Sequence, residues 1–149
     1  MSKGKRLAIA LGAIITAPLV FACCVLLYTS ARYSGTGIYE ANWGVTVPDG
    51  MTELYHDDDT GGLQGDGPRY TVYSCEDIWG MSVELKPGAD EDFQTGFHEV
   101  TDELAVPEAY LPDFGAESQC GKITDDFDER NNLYIVWDGA RLYLAEWIM

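Results

Sequence analysis

The sequence predicts an α+β fold, a small antiparallel sheet with one main helix packed on it, carried behind an N-terminal transmembrane helix. Three observations predict it. The run "LAIALGAIITAPLVFACCVLLY", between Leu7 and Tyr28, contains no charged residue. The closing stretch "NLYIVWDGARLYLAEWIM" holds two aromatic-rich runs around Asp138, Gly139 and Ala140, a short-range hairpin signal. Between these ends, Phe93, Phe97, Val100 and Leu104 recur at helical spacing.

The apolar run sets the organisation of the chain. At about 1.5 Å per residue it matches a hydrocarbon core of about 30 Å. Lys3, Lys5 and Arg6 precede it and Arg32 alone follows closely, which keeps the amino end cytoplasmic. Pro18 falls near its middle, where a membrane helix tolerates a kink. Residues 1–6 then form a cytoplasmic tail, 7–28 the membrane helix, 29–41 a small polar linker and 42–149 an extracytoplasmic domain. Two alternatives stay open. "VFAC" ending at Cys23 partly resembles a lipoprotein box, which would anchor the chain by a lipid on Cys23, and Ala31 offers a weak cleavage site. All three readings put the domain outside the cytoplasm.

Charge separates the two parts. All 25 acidic residues lie at or beyond Glu40, and beyond Arg32 only five Lys or Arg remain, a net of −20 for that stretch. Nucleic acid and anionic lipid headgroups demand clustered cations, so nucleic acid is excluded as a partner. The acidity suits a cationic protein, divalent ions or plain solubility.

Along the domain, "WGVTV" reads as a short strand stopped by Pro48, Asp49 and Gly50. "RYTVYSC", Arg69 to Cys75, is the firmest early strand, and "MSVEL", Met81 to Leu85, reads as another. Asp90 can cap the helix, Glu91 and Asp92 suit its positive end, and Pro107 stops it. Gly96 inside the helix costs about 1 kcal/mol against alanine, so the apolar stripe must carry it. "PEAYLPDFGAESQC" reads as an irregular crossing. In the hairpin, Tyr134, Val136, Leu142 and Leu144 are candidates for facing positions. Cys75 and Cys120, the two cysteines beyond the apolar run, are candidates for a disulfide; two free buried thiols are the alternative. On the chain-entropy model a bridge closing a loop of about 45 residues would stabilise by roughly 3–4 kcal/mol.

The chemistry of the chain concentrates in "HDDDTGGLQGDGPRY", which holds four aspartates and four glycines. Hard cations want such oxygens, and Asp57, Asp59 and Asp66 are the candidate ligands, but the spacing fails. Counted from Asp57 as an EF-hand loop, Gly61 occupies the fifth position and Pro68 the twelfth, where a bidentate Glu is needed. A phosphate loop would need Lys and a hydroxyl where Pro68 and Arg69 stand. The expected role is therefore structural: Gly61, Gly62, Gly65 and Gly67 permit positive φ in a tight connection between strands, and Asp59 and Asp66 can bond their own backbone two residues on. "DDFDER" would add oxygens only if it came close in space. Neither histidine, His56 or His98, sits beside a nucleophile motif, so no enzyme, cofactor or metal is expected.

"DTGGLQGDGPRYTVY" resembles the glycine-rich "GG-x-x-GDG" signature, followed by a strand, of small uncharacterised bacterial membrane-anchored or lipoprotein-like proteins, which also end in an aromatic hairpin. Where such proteins carry aromatic and histidine residues around the two glycines, this chain has Thr60, Leu63 and Gln64. The resemblance implies the localisation and the fold, and no chemistry. The expected function is a non-enzymatic, single-pass membrane interaction or envelope module. The alternatives are an immunity or inhibitor protein that meets a basic toxin or enzyme, and a cation-dependent binding domain.

Overall fold

The computed structural model describes residues 18–25, 35–61 and 66–149. The chain divides into two compact units, Met1–Ala41 and Asn42–Met149. Within the apolar run, residues 18–25 are helical, with Leu19, Val20 and Phe21 exposed. The rest of the expected membrane helix lies outside the described residues. Among the described residues no helix is long and apolar enough to cross a membrane. Residues 35–41 of the expected linker are ordered as a turn leading into a helix, Gly37–Trp43, whose first turn closes on the Thr36 carbonyl. Gly44, at φ 64°, ends it.

In the second unit, six strands form one antiparallel sheet. They are β1 (Thr52–Asp58), β2 (Gly67–Ser74), β3 (Lys86–Pro87), β4 (Gln119–Thr124), β5 (Asn132–Trp137) and β6 (Arg141–Ile148). The order across the sheet is β1-β2-β6-β5-β4-β3, so the two strands with the strongest sequence signals, β2 and β6, lie adjacent in its interior.

The main helix, Glu91–Glu103, packs on one face, as the sequence predicts. Asp90 Oδ1 accepts the Phe93 amide at 2.8 Å and caps it. Phe93, Phe97 and Val100 lie against Tyr70, Val72, Tyr134, Val136, Tyr143 and Ala145. Phe97 meets Tyr70 edge-on with ring centroids 5.8 Å apart, and Phe93 meets Tyr134 likewise at 5.3 Å. Gly96 sits where a Cβ would collide with the Tyr134 ring, so the close approach of that ring requires the glycine. After the helix the crossing is irregular apart from a 3-10 turn at Glu108–Tyr110.

The second face carries Leu133, Ile135, Leu142 and Leu144, all fully buried. Two strand expectations change here. Residues 44–48 and 81–85 are extended or bent segments outside the ladder. They hold each other through Ser82 N to Thr46 O at 3.1 Å and Thr46 N to Ser82 Oγ at 2.9 Å. Leu85 and Val83 press on the Gly121 side of β4, so the apolar residues of "MSVEL" cover the sheet instead of joining it. The facing positions of the hairpin also change. Asp138 N bonds Arg141 O, and the register pairs Val136 with Tyr143 and Ile135 with Leu144. Tyr134 and Val136 therefore share the helix face with Tyr143, whereas Leu142 and Leu144 point to the second face.

Cys75 and Cys120 are both free and buried, which corrects the disulfide expectation. Cys120 stands in register with Val136, Tyr143 and Val72, while Cys75 follows the end of β2. Three strand intervals separate β4 from β2, about 14 Å at about 4.8 Å each, whereas a disulfide needs Cα atoms within about 7 Å.

Candidate functional site

The sequence-predicted loop joins β1 to β2. Gly62 and Gly65 lie outside the described residues, as do Leu63 and Gln64. Gly67 has φ 131°, and a Cβ on it would run into the Asp59 carbonyl, so one glycine of the four has a demonstrated geometric duty. Among the described residues Gly61 meets no such constraint: a Cβ there would touch only Asp59 Oδ1, at 3.8 Å. Asp59 N donates to Pro68 O at 3.0 Å and continues the β1–β2 ladder by one step.

The aspartates diverge. Successive residues of a strand point to opposite faces. Asp57 leaves on the helix side, where its Oδ2 accepts the Tyr55 hydroxyl at 3.1 Å; Asp58 leaves on the other. Asp66 is exposed. Among the described residues no three His, Cys, Asp or Glu side chains converge as metal ligands. The "DDFDER" acids lie at the same end of the sheet, on the β4–β5 connection, with β6 between the two hairpins. Their oxygens serve their own turn: Asp125 Oδ1 accepts Phe127 N at 2.8 Å, and Asp128 Oδ2 accepts Arg130 Nη2 at 2.6 Å.

What the structure brings together is a polar track on the second face of β1, β2 and β6. His56 Nε2 lies 3.0 Å from Asp58 Oδ2 and His56 Nδ1 lies 2.9 Å from Thr71 Oγ1. Thr60 Oγ1 donates to Asp58 Oδ1 at 3.1 Å. Partial burial works to raise the Asp58 carboxyl, but the Thr60 and His56 bonds and the Arg69 charge outweigh it and leave the carboxyl below its usual range. Next along β2, burial and the Glu53 charge push the Tyr73 hydroxyl up to about 12. One strand further in, Arg69 pairs with Glu146, which is 0% exposed, and Trp43 Nε1 donates to the other Glu146 oxygen at 2.6 Å.

Sequence reasoning missed this track. Its signal was available: Arg69 and Glu146 each interrupt an aromatic-rich strand run at a position whose strand neighbours alternate inward. Opposite charges in two such runs point to a buried pair between adjacent strands. Cys75 and Cys120 take no part, and burial raises both thiols, which makes them poor nucleophiles.

The outer side of β1 is open. It is an edge strand, and among the described residues no strand pairs with it there. Of the exposed large apolar residues of the domain, Trp79 and Phe127 stand apart on turns, at 87% and 100% exposed and each beside acids, while Leu54 lies on β1 and Met149 follows β6. No family model, no curated protein and no solved structure matches this chain.

Proposed function

We propose that this protein is a single-pass membrane-anchored, non-enzymatic interaction module whose acidic α+β domain lies outside the cytoplasm and captures a cationic protein partner. The observation that carries the reading is the charge distribution. Three of the four basic residues before the first acid, Glu40, would serve as anchor flanks in this reading, Lys3, Lys5 and Arg6, and the stretch beyond Arg32 is left with five Lys or Arg against 25 Asp or Glu. Of those five, Arg69 pairs with Glu146 and Arg130 with Asp128; each pair cancels within itself, so the outward field keeps the net of −20. Such a field raises the encounter rate with a cation and is screened over about 8 Å at physiological ionic strength.

The polar track supports binding more than catalysis. Asp58, His56 and Thr71 have the residue types of a nucleophile relay, but the Thr71 residue is 1% exposed, so its hydroxyl cannot meet a substrate. The track reads instead as a brace that holds β1 on β2. The test is a pull-down from native membranes with the full-length protein, eluted at low and then at high salt. A basic protein retained at low salt and released at high salt is expected. Retention of no protein, or of partners indifferent to salt, would overturn the reading.

A further inference from the structure

We infer that the partner surface is the open edge of β1, and that it takes an extended lysine- or arginine-bearing segment as a seventh strand; this rests on the cationic-partner reading above. The sheet has two edges, and they differ. β3 is two residues long and one of them is Pro87, which has no amide to donate, so that edge is blunted. β1 spans seven residues without proline.

Backbone direction identifies the free groups. Asp59 N points inward to Pro68 O, and direction alternates along a strand, so the amides and carbonyls of Asp58 and His56 point outward. Among the described residues no backbone hydrogen bond outside the β1–β2 ladder reaches either of them. Nearer the start of β1 the register shifts between Glu53 and Tyr55, leaving Leu54 as the extra residue. The bulge twists that part away, so the usable edge is the four residues 55–58.

Side chains select the occupant. Asp57 stands on one side of this edge and Asp58 on the other, with Glu53 just before it. A second copy of the same edge would set these carboxylates against each other, which disfavours self-pairing. A segment with cations on adjacent positions answers both faces at once. The rigid template is already made: His56 ties β1 to Thr71, and Tyr55 stacks on Tyr110 with ring centroids 4.5 Å apart, so addition orders the incoming segment alone.

The experiment uses the full-length protein in detergent micelles and two synthetic peptides. One has two central lysines flanked by valine and threonine; the other is the same peptide with alternate backbone nitrogens methylated on its pairing side. Binding is read by fluorescence anisotropy, and amide hydrogen exchange reports the occupied strand. The expected result is binding of the first peptide, at least tenfold weaker binding of the methylated one, and new protection at the His56 and Asp58 amides. Asp57→Asn, which keeps an oxygen for the Tyr55 hydroxyl, should weaken the first peptide several-fold. Equal binding of both peptides would overturn the edge inference and leave the acidic-capture reading standing. Binding of neither peptide also overturns it; the pull-down then decides whether the broader reading falls too. Protection of His56 and Asp58 without peptide, rising with protein concentration, would assign the edge to a second copy and overturn it as well.

Discussion

At Gly67 the backbone takes φ 131° with the Asp59 carbonyl against the place a side chain would fill. Both the conformation and the space forbid a Cβ. Gly67→Ala should therefore cost about 2 kcal/mol or more, while Gly61→Ala, with ordinary contacts, should stay within about 0.5 kcal/mol. Urea unfolding of the two variants checks this. The glycines of "GGLQGDG" look alike in the sequence, and a connection into the strand β2 was legible from them. Which of Gly61 and Gly67 carries the strain was not, because it depends on how Asp59 pairs with Pro68 across the hairpin.

Among the elements, the main helix was the most legible, since its cap, its stripe and its stop are all local. Asp90→Ala removes the acceptor of the Phe93 amide and should destabilise by about 1 kcal/mol, with Asp90→Ser close to wild type, read by thermal or urea unfolding. The strand readings divide by the same criterion. "RYTVYSC" and the closing hairpin are strands because alternation and turn chemistry are local. "MSVEL" is apolar enough for a strand but lies over Gly121 as a cover, since β3 already occupies that edge of the sheet. A segment's own pattern cannot tell pairing in a sheet from packing on one. Leu142 and Leu144 went to the unexpected face for a related reason: the Asp138–Arg141 turn sets the register of the whole hairpin.

At the scale of the whole molecule, the described residues of the domain form two cores, one under the helix and one on the second face, with the Arg69–Glu146 pair inside the latter. Glu146→Leu leaves Arg69 charged, buried and without its acceptor and should cost about 3–5 kcal/mol, whereas Arg69→Met with Glu146→Leu together should be far milder. Chemical denaturation of the single and double variants separates the two outcomes. The tyrosines set an alkaline limit. Burial, with the Glu53 charge at Tyr73 and the Asp138 bond at Tyr143, raises both hydroxyls to about 12 in the folded protein. The unfolded chain loses these protons first, near about 10. Their contribution is thus intact below about pH 10 and is lost as the pH rises toward 12, so unfolding and tyrosinate absorbance should rise together in that window. Acid has no such effect on them. The cysteines supply a further check: with Cys75 and Cys120 free and strands apart, added reductant should leave the melting temperature unchanged, and thiol reagents should react with them only on unfolding. A drop in melting temperature with reductant would restore the bridge.

By itself the sequence determined the α+β class, the helix with its cap, the closing hairpin and the separation of an apolar, basic start from an acidic remainder. These follow from periodicity, turn residues and charge, which act over a few neighbours or need only counting. The tertiary structure decided the strand order, the inner pairing of β2 with β6, the covering role of residues 81–85 and the separation of Cys75 from Cys120. It also decided that Asp57 and Asp58 diverge to opposite faces, and that His56, Thr71, Arg69, Glu146 and Trp43 line one polar track. Each of these is a pairing between residues far apart in the chain. Such pairings follow from which faces can be buried together and which backbone edges remain, and no short stretch of sequence contains that information.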